Sequence, residues 1–358
     1  MNQPPYFYGP GAPGPYTPPP PSPLVAEGRS LWRFFFTVTA VLAATSIFMP
    51  IVAMVIQSFL LTTGTINLYD LENGFSGMTA LAFYLFFIVL YGFGLFLPFF
   101  IASFTPLFKK HGHIALPFGA SKVSVVPFLL LGLGVCAAAN YANALFLDVL
   151  ISFGYEMKDL SMGTPADTPG RLAAVLAVGA APALVEEYIF RGLILQGLRR
   201  YGTAFAIVTS AAVFALFHLT AEQLVFAFIG GLFFGYLTVK TDSLWPAIVL
   251  HFLNNAFSVA MDFITGALFK NASDTQQAAV TMAYLALLAI IGLTGLLLIF
   301  GLKKCQGLLL PPQPKPMLFS LGARFSRVLL NPGTVLLVVI WLFFVFEVME
   351  KLLASLMG

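Results

Sequence analysis

The chain has 358 residues, of which 59% are hydrophobic and only 9% charged, with a formal net charge of +3. Soluble domains carry roughly a quarter charged residues, so a soluble globular protein is excluded. The apolar runs lack the roughly ten-residue alternation of an outer-membrane barrel strand, which leaves helices as the spanning elements.

The first 28 residues, rich in Pro, Gly and Tyr, read as a disordered cytoplasmic tail (1–28) that has no means of building a core. The apolar run behind it starts late, is long and lacks a small-residue cleavage site, so an anchor is expected and not a signal peptide. Apolar runs then predict spans at 33–61, 79–104, 123–153, 172–198, 203–219, 223–239, 244–269, 280–301 and 334–353. The fold class is all-α, a polytopic transmembrane bundle of about nine spans. Its units are N-terminal transmembrane helices (29–171), a core (172–269) and C-terminal helices with a basic cytoplasmic connection (270–358).

Basic residues alternate between the two sides. Arg29, Arg33, Lys109, Lys110, Lys122, Arg199, Arg200, Lys240, Lys303, Lys304, Lys315, Arg324 and Arg327 fall on one side; Lys158, Arg171, Lys270 and Lys351 fall on the other. The positive-inside rule makes the N-terminus cytoplasmic and places the C-terminus outside; a bacterial plasma membrane is the expected location. The stretch from Cys305 to Pro332 is expected to be a linker or an amphipathic piece against anionic lipid. Cys136 and Cys305 suggest no disulfide framework.

The fourth span carries "VEEYIFRG" (185–192), about 20 Å from Arg199 at 1.5 Å per residue and so near the bilayer midplane. A charge at that depth is costly unless it is paired or lines a wet cavity. Glu187 and Arg191 are four apart and meet on one face, whereas Glu186 points about 100° away and is left free to react. "FALFH" ends the fifth span with Phe214 and His218, the phenyl ring supporting the imidazole, and "HFLNN" in the seventh carries His251 and Asn255 on one face. Glu186, His218 and Asn255 thereby fall at overlapping depths, and His251 comes out shallower unless "DSLWP" re-enters the membrane in extended form before the helix starts.

A partly desolvated carboxylate can take a proton from water while an imidazole aligns it, and a second His with an Asn amide can donate to an oxyanion. The same Glu186, His218 and His251 could instead hold a Zn2+ ion with an open position for water. Spacing alone leaves both open. Gly231 and Gly235 form a G-x-x-x-G face on the sixth span, which should let backbones approach closely and press the fifth and seventh spans toward each other. Asn140 and Asn143 read as interhelical hydrogen bonds, and Asp262 as a residue at the outer mouth. His111 and His113 resemble a metal clip in a basic loop.

The ordered motifs Glu-Glu-x-x-x-Arg, Phe-x-x-x-His and His-x-x-x-Asn, reinforced by "LWPAIVLHFLNN", resemble those of the CAAX protease and bacteriocin-processing (CPBP, or Abi) family over about 172–263. The resemblance implies an intramembrane endopeptidase with Glu186 as base, His218 as its water-aligning partner, and His251 with Asn255 at the oxyanion. It implies relatives that trim prenylated CAAX proteins or process peptides, hence a protein or peptide substrate, lipidated in the eukaryotic case. Membrane lipids are the other expected partners, and nucleic acid is not one. A proton-coupled transporter and a non-catalytic immunity or scaffold protein are the rival readings.

Overall fold

The computed structural model describes residues 22–66, 74–111, 123–157, 163–268, 273–305, 307–310 and 318–345. Among these every regular element is helical. The longer helices are α1 (Pro23–Thr62), α2 (Ala80–Ser103), α3 (Val126–Ser152), α4 (Thr168–Arg199), α5 (Thr203–Phe217), α6 (Leu224–Thr241), α7 (Trp245–Leu268), α8 (Asp274–Gly301), α9 (Leu321–Leu329) and α10 (Pro332–Val345).

Seven are long and apolar enough to cross a membrane, and α9 with α10, bent by 59°, would make an eighth span. The fifth predicted span is the shorter α5, whose 15 residues reach about 22 Å, less than a ~30 Å hydrocarbon core. The protein is integral to a membrane. Residues 1–21 and 346–358 of the expected tail and last span, with His113, lie outside the described residues.

Helix α1 begins earlier than the sequence suggests. Ser22 accepts a hydrogen bond from the Val25 amide, and Pro23 occupies the first turn, where its missing N–H costs nothing. Residues 23–28, expected in the tail, are therefore helical.

Two helices form the centre. Helices α4 and α6 bury more of their surface than the other spans, and α5, α7, α3 and α2 pack around them. Helix α4 is wound wide twice, over Val175–Ala180 and Glu187–Leu195, and α2 once, over Gly92–Phe96. Such π turns splay carbonyls off the helix axis and concentrate at functional sites. Neighbouring side chains take up the carbonyls: the Ser210 hydroxyl of α5 donates to Phe190 O at 2.8 Å, and the Asn255 amide of α7 donates to Val178 O at 3.1 Å. The wide turns thus dock α4 onto α5 and α7.

Gly231 and Gly235 do allow close packing, though with different partners from those expected for the pair. A Cβ on Gly231 would lie 3.1 Å from Ala211 of α5 and 3.2 Å from the Arg191 guanidinium, and one on Gly235 would lie 3.1 Å from Leu195 of α4. The α6 glycines admit α5 and α4, and the seventh span is held elsewhere. Asn143 of α3 caps α6, accepting from the Val225 and Phe226 amides at 3.2 Å each and donating to Glu222 O at 2.7 Å. Asn140 bonds within its own helix, to Cys136 O.

The basic ends come together at one end of the bundle. Arg199 lies 3.5 Å from Asp242, Lys240 donates to Leu309 O at 2.8 Å, the Ser124 amide reaches Lys304 O, and Arg324 bonds Tyr201 O.

Helices α3 and α8 meet backbone to backbone, where a Cβ on Gly134 would lie 2.6 Å from the Gly292 Cα. Backbone cannot yield as a flexible side chain does. Gly134→Ala should therefore lower stability by about 1–3 kcal/mol, the usual cost of overpacking. Thermal melts in detergent check this, and an unchanged midpoint would contradict the close approach.

Candidate active site

Glu186 and Glu187 lie where the second wide turn of α4 begins, and both are buried, at 4% and 0% exposure. Glu187 Oε1 accepts a 2.8 Å hydrogen bond from Arg191 Nη1 one turn on, an ion pair with neither side chain exposed. The same oxygen lies 2.8 Å from His251 Nδ1. With Glu187 ionised against Arg191, the imidazole must carry its hydrogen on Nδ1. Its other nitrogen, Nε2, stands 3.7 Å from Glu186 Oε2. His251 therefore bridges the two glutamates, and Glu186 is not turned away from its neighbour's partners as an ideal 100° step implies.

Two rings cover the cation. The Arg191 guanidinium lies over Phe214 at 4.3 Å and over Phe234 at 5.3 Å. Its Nε and Nη2 find no hydrogen-bond acceptor, so the negative faces of these rings supply part of what water would have given. Phe214 also meets His218 edge-on at 4.7 Å and His251 at 6.1 Å, while Phe234 stacks on His251 at 5.4 Å. Phe214 consequently touches every cationic or imidazole member of the cluster.

His218 caps the C-terminus of α5. Its Nδ1 lies 2.9 Å from Phe214 O; a carbonyl only accepts, so Nδ1 carries the hydrogen and Nε2 keeps a lone pair in the neutral ring. The chain turns sharply behind it at Leu219, whose φ of 57° is left-handed for a branched residue. Strain of this kind is found at sites where geometry is enforced.

Glu186 has one oxygen held and one open. Oε1 accepts a short hydrogen bond from the Tyr91 hydroxyl of α2, and the buried Oε2 has no hydrogen-bond partner. Buried carboxylate oxygens without partners are rare, and such an atom suits a water or a substrate group. Glu187 Oε2 is likewise unpartnered but fully sealed.

Residues 168–257 match the family described as type II CAAX prenyl endopeptidase Rce1-like. The likeness covers about a quarter of the chain. No curated protein and no solved structure matches the chain. The match begins at the first residue of α4, ends within α7, and includes all three motifs; it supports a CAAX-type endopeptidase acting in the membrane.

Within the Rce1-like segment the structure brings Glu186, Glu187, Arg191, Phe214, His218 and His251 into one cluster. His251 and Asn255, expected side by side at an oxyanion, are otherwise engaged here: His251 with the glutamates, and one Asn255 amide hydrogen with Val178 O. Asn255 also accepts from Asn254. Asp262 is exposed further along α7.

Among the described residues no three His, Cys, Asp or Glu side chains are placed to share a metal ion. The donors as they stand do not fit a zinc site, which needs imidazole nitrogens converging at about 2.0–2.1 Å from one point.

Tyr91 and Phe234 were missed in the sequence. Phe234 sits between Gly231 and Gly235 in a run of apolar residues, and Tyr91 is 95 positions from Glu186. The signal for Tyr91 was a phenol in an apolar helix beside Gly92 and Gly94.

Two outcomes are expected. Glu187→Ala should orphan Arg191 and His251 and cost about 3–5 kcal/mol, and Glu187→Ala/Arg191→Leu should recover part of that in thermal melts. Hydrolysis should not recover with it, because His251 has lost the acceptor that sets its tautomer. Tyr91→Phe, which keeps the ring against Phe87, should lower the hydrolysis rate about tenfold or more, since a hydrogen bond to a charged group contributes about 1.5–3 kcal/mol. A full rate in that variant would remove Tyr91 from the site.

Proposed function

We propose that the protein is an intramembrane endopeptidase that cleaves a peptide bond of a lipidated, CAAX-type substrate with water activated by Glu186. The observation that carries this reading is Glu186 itself, with Oε1 fixed by Tyr91 and Oε2 buried and open. Water hydrogen-bonded to Oε2 loses a proton to it as the water oxygen attacks the scissile carbonyl carbon. His218 Nε2 accepts the water's second hydrogen and orients the attack.

The developing oxyanion needs donors. The second Asn255 amide hydrogen and a protonated His251 Nε2 are the groups for that task. Glu186 then returns its proton to the leaving amide nitrogen, and the C–N bond breaks. Glu187 and Arg191 position His251 and hold the field around Glu186. The basic end of the bundle faces the cytoplasm, where prenylated chain ends would meet the membrane.

The test uses detergent-purified full chain and a fluorogenic farnesylated peptide ending in a CAAX sequence, beside its unprenylated counterpart. Glu186→Ala should lower the rate by about 10²–10⁴ while the chain still inserts. Chelator should leave the wild-type rate unchanged. Loss of activity on chelation, restored by zinc, would replace the metal-free mechanism, and a Glu186→Ala rate within a few-fold of wild type would remove Glu186 as the base.

A further inference from the structure

A cavity of about 310 Å³ opens between the first turns of α1 and the short helix α9, far along the chain from the glutamates. Arg29 and Arg33 of α1 and Arg327 of α9 line it, with Leu24, Val25 and Trp32 as its apolar wall. On α1 these positions recur at intervals of three and four, which is one helix face. Glu27 lies off that face and is not part of the lining.

The cavity is built. Arg327 is held by a 2.8 Å hydrogen bond to Ala323 O and stacks on Phe319 with its guanidinium carbon 4.2 Å from the ring centre. Gly28 leaves the room it occupies, since a Cβ there would lie 3.1 Å from Phe319 and 3.2 Å from Arg327 Nε.

Depth fixes what can reach it. Helix α1 has 40 residues and so extends about 60 Å, twice a ~30 Å hydrocarbon core, which places its first turns at or beyond the headgroups. Trp32 is exposed there as tryptophans are at membrane interfaces. Helix α9 has arginines on one side and exposed Leu321 and Leu329 on the other, the pattern of a helix lying in the interface plane.

We infer that this cavity binds the phosphate headgroup of an acidic phospholipid, with Arg29, Arg33 and Arg327 around the phosphate and Trp32, Leu24 and Val25 against the glycerol and upper acyl chain. Three cations with no lining carboxylate select an anion, and the apolar wall beside them selects an amphiphile over a free ion. Bound there, the lipid would join α9 to α1 and tie the C-terminal helices to the bundle.

Native mass spectrometry of the full chain in detergent tests this, with phosphatidylglycerol or phosphatidylcholine of identical acyl chains added. Wild type should retain one phosphatidylglycerol in preference to phosphatidylcholine. Arg29→Gln, an exposed change that leaves the packing intact, should weaken that preference about fivefold, and Arg29→Gln/Arg33→Gln/Arg327→Gln should abolish it. Gly28→Leu keeps every charge but fills the cavity and should also abolish it. Equal retention of both lipids by wild type, an unchanged preference in Arg29→Gln, or a normal preference in Gly28→Leu would overturn the site. Displacement of the phosphatidylglycerol by millimolar inorganic phosphate would overturn the lipid as its occupant.

Discussion

The structure is arranged around a fully buried ion pair, Glu187 with Arg191, set in a helix that has to cross a membrane. A lone charge at that depth is costly, and even a paired one needs its remaining lone pairs and protons met. The Arg191 guanidinium uses only Nη1 on the carboxylate, so its broad face must find something else. Phe214 and Phe234 supply ring faces, and Gly231 supplies the space, because a β-carbon on α6 would press against Nη2. The identities of three residues on two other helices thus follow from one cation. Because α5 and α6 must both lie close to α4 to serve it, the pair also sets the packing of the central helices.

The wide turns of α4 follow the same logic. A regular helix places consecutive side chains 100° apart, which would send Glu186 and Glu187 to different neighbours. Winding wide from Glu187 onward accompanies an arrangement in which both carboxylates face one imidazole. The carbonyls turned outward then need donors, and Ser210 and Asn255 provide them. Asn255 is in this sense as much a fastener of α7 to α4 as a donor facing a substrate. A transporter relaying protons could bury the same side chains, but the match of residues 168–257 to CAAX endopeptidases weighs toward hydrolysis.

What could be read from the sequence was whatever lies within one helix. The i, i+4 spacing of Glu187 and Arg191 and of Phe214 and His218 corresponds to contacts the structure contains, because such pairs depend only on helical geometry. Hydropathy placed most spans within a few residues, since lipid leaves the backbone few options. Tyr91 on Glu186, Phe234 on His251 and Gly134 on Gly292 were not legible, because each joins separate helices and no local pattern encodes which helices become neighbours. His251 belongs to both groups: its place on the helix face with Asn255 was readable, but its two partners on α4 depend on a wide turn that apolar periodicity does not announce. The short α5 was overestimated for a related reason, as apolar residues continue past the point where His218 and the left-handed Leu219 end the helix.

Charge balance separates the roles of the two glutamates. Arg191 and two ionised carboxylates sum to minus one, and a second proton on His251 brings the cluster to zero. That proton lies between Glu187, which Arg191 already neutralises, and Glu186, which has only a neutral phenol on its other oxygen. Any movement of the proton is therefore toward or away from Glu186, with little change at Glu187. Sealed by Phe214 and Phe234 on the cation's side and half-open at His218, the site keeps its fixed charges away from solvent and leaves its exchangeable proton on the side where a substrate could enter.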